Sequence, residues 1–271
     1  MGQTRSQTLS DWKGLAAAEA ARNAVFAAML ARAGISGPAP VFEGRRGFFQ
    51  LVAGPADVDI GTFGRRDIPF RIHHCGMKAY PAVVYAQTAI VAGIALAKDI
   101  GDLDRIVAIE IATTRRGLQQ TGSEPEKWAP DTRDTADHSL PYITARAMFD
   151  SDISNDSYAP EKLRDPRIIA FMRKITVKED PAFGALRGNA PAARVTAILD
   201  DGRRIAQQVE NLSSFPGQPV SRAEVERKFH SNVGERWPQE ATNAILQSLW
   251  ALERTNDLPG LLARLLVRTS P

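Results

Sequence analysis

Apolar residues recur at helical spacing near both ends of the chain. The segment LAAAEAARNAVFAAMLARAG (15–34) is rich in alanine and closes on a glycine, which predicts a helix that stops at Gly34. Towards the other end, Ser221 and Glu224 have the spacing of a capping box, which predicts a helix start. Apolar stripes predict further helices over residues 245–252 and 258–267. Both ends of the chain are therefore predicted to be helical.

Strand patterns occupy the middle of the chain. Residues 106–112 (IVAIEIA) alternate and are β-branched, residues 174–180 (KITVKED) also predict a strand, and residues 193–210 predict a hairpin that turns at Asp201-Gly202. We also predict a short strand over residues 70–74, a helix after Pro81 with Val83, Ile90, Ile94 and Ala97 on one face, and a helix over residues 160–174. Strands interleaved with helices and followed by a hairpin indicate an α+β unit on a mainly antiparallel sheet.

The order helical, mixed, helical predicts two domains. Residues 1–68 and 216–271 would form one helical domain, which residues 69–215 interrupt as an inserted α+β unit. A stretch rich in glycine and proline (35–69) and the segment SFPGQPVS (214–221) are the predicted boundaries between the two domains.

Composition excludes several classes of function. The chain has 34 basic and 31 acidic residues and a net charge of +3, too weak and dispersed to track a nucleic-acid backbone, although small anions remain compatible. The single cysteine, Cys75, excludes an intramolecular disulfide framework and favours a reducing compartment, so we expect a cytoplasmic protein. No run approaches the roughly 18 apolar residues of a membrane span, so we expect no membrane association.

The segment DTRDTADHSLPYITARAMFD (131–150) concentrates reactive side chains at a predicted helix start. If the first turn begins near His138, then His138 and Tyr142 share one helical face. The positive end of the helix would favour a bound carboxylate there. Alternatively, Asp137 and Ser139 cap the helix, and His138 is an interior histidine with its own partner. The pattern alone leaves both interpretations open.

Two lysines precede predicted helix starts. Lys78, in GMKAYP, could bind a substrate carboxylate, or it could be a solvated loop lysine. Lys13, between Trp12 and Gly14, repeats this arrangement before the first helix. His73 and His74 are adjacent on a predicted strand and would point to opposite faces. Since no carboxylate lies at ligand spacing from them, we predict no metal site, and we expect no cofactor.

Four segments resemble the MmgE/PrpD family, which contains 2-methylcitrate dehydratases and their cis-aconitate decarboxylase relatives. Residues 131–150 resemble its signature segment, and KAYPAVVYAQTAI (78–90) resembles its Lys-Tyr-Pro segment. Residues 10–44 resemble its Trp-Lys-Gly helix, and PGQPVSRAEVERKF (216–229) resembles its closing pattern. The four segments occur in family order and span most of the chain.

The resemblance implies a helical domain built from both chain ends, an inserted α+β lid domain and an active site in the crevice between them. It implies a lyase without an iron–sulfur cluster that removes water, or carbon dioxide, from a tricarboxylic acid such as 2-methylcitrate. By position in the motifs, Lys13, Lys78 and Tyr142 would be active-site residues, and His138 would line or support the site. The lysines would clamp carboxylates, Tyr142 would hydrogen-bond the substrate or deliver a proton, and His138 would orient Tyr142 or act as an acid.

The resemblance also implies a longer protein. In the family, a large helical segment with further site residues precedes the Trp-Lys-Gly helix, so we expect this chain to be N-terminally truncated and its helical domain incomplete. The family further implies a homodimer and a role in propionate catabolism. Two hypotheses follow. The chain is a lyase, which a separate chain supplying the missing helices could complement, or it is a non-catalytic remnant that acts in binding or assembly.

Overall fold

The computed structural model describes residues 10, 12–54, 59–62, 64–185, 190–212, 215, 220–234 and 237–266. The chain divides into two compact units, Met1–His74 and Cys75–Pro271. The first unit contains the helix α1 (Trp12–Arg32), and the second contains the sheet together with the C-terminal helices. The division into a helical domain (1–68 and 216–271) and a lid (69–215) stays a prediction.

The second unit alternates helices and strands before it ends in helices. Over the described residues, its elements are α2 (Gln87–Ile100), β1 (Ile106–Thr113), α3 (Arg115–Thr121), α4 (Arg133–Ala136), α5 (Leu140–Asp150), α6 (Pro160–Leu163), α7 (Pro166–Met172), β2 (Ile175–Glu179), β3 (Ala193–Leu199), β4 (Arg204–Val209), α8 (Arg222–Val233), α9 (Gln239–Trp250) and α10 (Leu258–Arg264).

The helix α1 ends as its sequence predicts. Gly34 has φ +89°, and the N–H groups of Gly34 and Ile35 donate to the carbonyls of Ala31 and Leu30 at 3.0 Å. A left-handed glycine of this kind satisfies the last carbonyls of a helix. The structure describes α1 along its whole length, and no residue in it is buried. Its large apolar side chains, Phe26 and Met29 among them, are therefore exposed.

The sheet has the strand order β2-β1-β3-β4. β1 pairs parallel with β2 and antiparallel with β3, and β3 pairs antiparallel with β4. The hairpin between β3 and β4 turns as predicted, with Gly202 at φ +82° after Asp201. Two of the three pairings are antiparallel, which agrees with the predicted α+β class.

The core lies between one face of the sheet and the helices α2 and α5. Ile90 of α2, Ile111 of β1 and Ile143 of α5 are all fully buried. The two helices approach closely at Gly93, where a Cβ would lie 3.3 Å from Met148 Cγ and 3.4 Å from Thr144 Cγ2, so these side chains would have to shift to admit a larger residue. This packing fixes the start of α5 and the segment before α2, on which the candidate site is built.

The predicted strand over residues 70–74 is wrong. Residues Arg71–His74 form a 3₁₀ turn, in which the N–H of His73 donates to the carbonyl of Phe70 at 3.0 Å. Ile72 is exposed, and no strand of the described sheet pairs with this segment. The argument that His73 and His74 point to opposite faces of a strand therefore no longer applies.

The predicted helix over residues 160–174 is two helices. α6 ends at Leu163 and α7 begins at Pro166, which has no N–H to donate back into α6. Asp165 caps the second helix by accepting from the N–H of Arg167 at 2.9 Å. The last helix ends at Arg264, and its predicted end at residue 267 lies outside the described residues.

Candidate functional site

A cleft of about 970 Å³ lies within the second unit. Its walls come from residues 77–81, from the 152–156 loop and from α8 with its flanking residues. The volume is in the range that holds a small organic molecule. Its charged lining residues are Lys78, Arg227 and Lys228, with the carboxylates of Asp152, Asp156 and Glu224.

The segment that carries Lys78 is held by a buried glutamine. The side chain of Gln87 accepts from the N–H of Tyr80 and donates to its carbonyl, both at 3.0 Å, and it also donates to the carbonyl of Ala82 at 3.2 Å. Gln87 is fully buried on the first turn of α2. Lys78 itself is half-buried, and its Nζ donates to the carbonyl of Ala82 at 3.0 Å. The segment thus holds Lys78 at the cleft, a placement that a freely solvated loop lysine would lack.

Hydrogen bonds hold the 152–156 loop in place. Ser154 and Ser157 form a capping box, and Arg133 donates to Asn155 Oδ1 at 2.7 Å. Burial, reinforced by the nearby Asp152 carboxylate, raises the pKa of Tyr80, which also lines the cleft. The Asp152 carboxylate therefore lies within electrostatic reach of the Lys78 segment.

The third wall is α8, which lines the cleft from Glu224 to its C-terminal end. The predicted capping box is confirmed, since the Ser221 N–H donates to the Glu224 carboxylate at 2.8 Å and the Glu224 N–H donates to Ser221 Oγ at 3.2 Å. One turn later, the Nζ of Lys228 donates to the carbonyl of Lys78. Helix α8 and the Lys78 segment are thus joined directly at the cleft.

Tyr142 lies in the core and is not part of the cleft lining. It is 1% exposed, and its hydroxyl donates to the carbonyl of Ser157 at 2.6 Å. Burial, opposed by the Arg146 guanidinium and reinforced by the Asp150 carboxylate, raises the pKa of Tyr142 to about 12. The hydroxyl therefore stays protonated at neutral pH. It can act as a donor, and in this structure its acceptor is the carbonyl of Ser157, the residue that follows the 152–156 loop.

His138 precedes α5. The helix begins at Leu140, and its N-cap is Ser139, whose Oγ accepts from the N–H of Tyr142 at 3.1 Å. The helix therefore begins after His138, and His138 does not share a helical face with Tyr142. His138 is buried, with Nδ1 against the carboxylate of Asp137. The carbonyl of Asp137 accepts from the N–H of Val83 at 2.9 Å, which places this pair beside the Lys78 segment.

The predicted site residues thus fall into three groups. Lys78 lies in the cleft wall, Tyr142 and His138 are buried outside its lining, and Lys13 is a half-buried residue of α1 in the first unit. Sequence reasoning missed Gln87 and Lys228. Both stand in segments that carry the family resemblance. Gln87 bonds to Tyr80 and Ala82 nearby in sequence, whereas Lys228 contacts Lys78 from 150 residues away, and neither residue has a local pattern that reveals these contacts.

The described residues offer neither a metal site nor a membrane-spanning helix. No group of three or more His, Cys, Asp or Glu side chains in this part of the chain is arranged to hold a metal ion. None of the described helices is long and apolar enough to cross a membrane.

Known proteins match this chain along most of its length. The sequence model of the MmgE/PrpD C-terminal domain matches residues 80–252, and that of the MmgE/PrpD N-terminal domain matches residues 1–61. The 2-methylcitrate dehydratase of Cupriavidus necator is 28% identical over 264 residues, which cover 91% of this chain and 52% of that protein.

Two further relatives give the same result. The 2-methylcitrate dehydratase of Salmonella typhimurium is 25% identical over 91% of this chain and 52% of its own length. The mitochondrial 2-methylcitrate dehydratase of Yarrowia lipolytica is 26% identical over 86% of this chain and 46% of its own length. The chain spans about half the length of the curated relatives it matches. Because the C-terminal domain model alone covers more than half of the chain, the protein belongs to the MmgE/PrpD family.

Proposed function

We propose that this chain acts as a lyase that removes water from 2-methylcitrate or a related tricarboxylic hydroxy acid. The observation that carries the proposal is the charged cleft, in a chain whose relatives are dehydratases. Lys78 and Arg227 would bind carboxylates through charge-assisted hydrogen bonds. The carboxylates of Asp152 and Asp156 would accept from a hydroxyl group. A hydroxy acid with several carboxylates offers both kinds of partner.

The reaction breaks a C–H bond beside a carboxylate and a C–O bond on the neighbouring carbon, and it leaves a C=C bond and water. A general base takes the proton, and the negative charge left behind spreads onto the adjacent carboxylate, which becomes an enediolate. Lys78 would stabilise that charge from the cleft wall, and Lys13 is the proposed second carboxylate clamp. The leaving hydroxide takes a proton from a general acid and departs as water.

Tyr142 and His138 do not line the cleft, and they would act by holding the segments that form its walls. The hydroxyl of Tyr142 holds Ser157, which follows the 152–156 loop, so Tyr142 would position the acidic part of the lining. His138 would position the Lys78 segment through Asp137, whose carbonyl accepts from Val83. Both roles depend on contacts with the elements that form the cleft walls.

Assembly with further helices is part of the proposal. Because α1 has no buried residue and exposes Phe26 and Met29, its apolar side would be covered in a homodimer or by a separate chain of helices. Light scattering on the purified chain tests the homodimer, for which we expect twice the mass of one chain. A mass of one chain at micromolar concentration contradicts it.

The activity is tested on the purified 271-residue chain with 2-methylcitrate and with citrate. Dehydration produces an unsaturated acid, which is followed by its ultraviolet absorbance, and parallel measurement of carbon dioxide separates dehydration from decarboxylation. We expect the unsaturated product without release of carbon dioxide. A folded chain that binds these acids without forming product would support the alternative of a binding or assembly protein, and release of carbon dioxide would support a decarboxylase.

A further inference from the structure

Lys228 brings a second ammonium group to the position of Lys78. It lies on α8, 150 residues along the chain from Lys78, and its Nζ donates to the carbonyl of Lys78. Both residues line the same cleft. The capping box at Ser221 and Glu224 anchors the start of this helix, so Lys228 projects from a fixed element.

The hydrogen bond of Lys228 orients its charge without neutralising it. Its acceptor is a backbone carbonyl, which carries no net charge. Burial, and then the positive charge of Lys78, lower the pKa of Lys228. Two cations that repel each other in a half-enclosed cleft are both stabilised when an anion with more than one carboxylate lies between them.

Not every basic residue of α8 lines the cleft. Arg222, at the start of the helix, donates to Glu226 at 2.7 Å, and its guanidinium lies 4.7 Å from the centroid of the Trp250 ring. Its charge therefore contacts residues of α8 and α9. Arg227 and Lys228 line the cleft instead, followed one turn later by Ser231. The part of α8 that lines the cleft therefore carries these donors together with the Glu224 carboxylate.

We infer that Lys228 is a carboxylate-binding residue of the cleft and that Lys78 and Lys228 together hold two carboxylates of one polycarboxylate ligand. The inference deepens the proposed function and rests on it for the identity of the ligand. It assigns α8 to the substrate site, in addition to the segment that carries Lys78.

Isothermal titration calorimetry on the full chain tests the inference, with 2-methylcitrate and citrate as the ligands. Lys228→Gln keeps a donor for the Lys78 carbonyl and removes the charge. We expect it to weaken binding by about 10- to 100-fold, the usual effect of losing a charge-assisted hydrogen bond. Lys228→Arg keeps the charge and should bind within about fivefold of the wild type. Lys98→Gln removes one exposed lysine outside the cleft lining and should leave binding unchanged.

The outcomes separate this inference from the proposed function. Turnover of 2-methylcitrate with equal affinity in Lys228→Gln and Lys98→Gln would overturn the inference and leave the lyase proposal in place. Polycarboxylate binding that depends on Lys228, without turnover, would support the inference and contradict the lyase. A folded wild-type chain that binds neither acid would overturn both. Far-ultraviolet circular dichroism confirms that each variant is folded, and a defect shared by Lys228→Gln and Lys228→Arg would assign Lys228 to structure and overturn the inference.

Discussion

Replacing Arg146 with methionine removes the cation from a buried ion cluster that joins α5 to α7. Arg146 is 2% exposed. It donates to Asp150 from Nε at 2.9 Å and from Nη2 at 2.6 Å, and to Asp165 from Nη1 at 2.9 Å. Asp165 is also the N-cap of α7. The substitution therefore acts on the packing of two helices as well as on charge.

The expected loss of stability follows from the exposure of the two carboxylates. Removing one partner of a buried ion pair costs about 3–5 kcal/mol, because the remaining charge loses its compensation. The side chains of Asp150 and Asp165 are each 32% exposed, so water can solvate them after the substitution. Methionine also replaces part of the buried aliphatic stem. We therefore expect the lower end of the range, a loss of about 3 kcal/mol in the free energy of unfolding.

Equilibrium unfolding in urea, followed by circular dichroism, measures this loss. The matched control is Arg167→Met, whose side chain is 64% exposed and lies 3.8 Å from Asp104. Its guanidinium also lies over the Phe149 ring, and such exposed contacts are worth less than about 1 kcal/mol each. If Arg146→Met destabilises the protein no more than Arg167→Met does, the reasoning from burial is refuted.

Three further predictions concern the same unit. Burial raises the pKa of Asp165, but hydrogen bonds from the Arg167 N–H and from Arg146 outweigh it and hold the pKa below 3.8. Asp165→Asn should therefore lower stability at pH 7, and the difference from wild type should vanish as the pH falls well below 3.8, as measured by urea unfolding across pH. Tyr142→Phe should cost about 1–3 kcal/mol, because the buried Ser157 carbonyl loses its donor; in a turnover assay it should raise KM more than it lowers kcat, whereas a catalytic Tyr142 would chiefly lower kcat. Ser221→Ala should cost about 1 kcal/mol through loss of the cap of α8, whereas Ser221→Asp should retain stability, and thermal unfolding compares the two.

Elements with strong local patterns were predictable from the sequence. The hairpin of β3 and β4 follows from alternating residues on either side of Asp201-Gly202, and the start of α8 follows from the spacing of Ser221 and Glu224. The end of α1 follows from Gly34, which takes the left-handed conformation. In each case the residues that determine the structure are neighbours in the chain.

Other features depend on a choice between two candidate capping residues or on contacts between residues far apart in the sequence. Asp137 and Ser139 are both good capping residues, but Asp137 ends α4 as its C-cap, Ser139 is the N-cap of α5, and His138 lies between the two helices. The segment before Cys75 has the composition of a strand, but a strand also needs an open sheet edge as its partner. Lys228 meets Lys78 across 150 residues, a contact that no periodicity encodes. The sequence therefore predicts Lys78 as a residue of the site, but it does not predict which distant segments form the cleft with it.

In the proposed reaction, Lys78 would stabilise negative charge on a carboxylate of the substrate. Turnover of 2-methylcitrate by wild type, Lys78→Ala and the control Lys98→Ala tests it most directly. We expect Lys98→Ala to match the wild type and Lys78→Ala to lose at least about 100-fold in kcat while remaining folded, as removal of a group that stabilises developing charge does elsewhere. Undiminished turnover in Lys78→Ala would contradict the account.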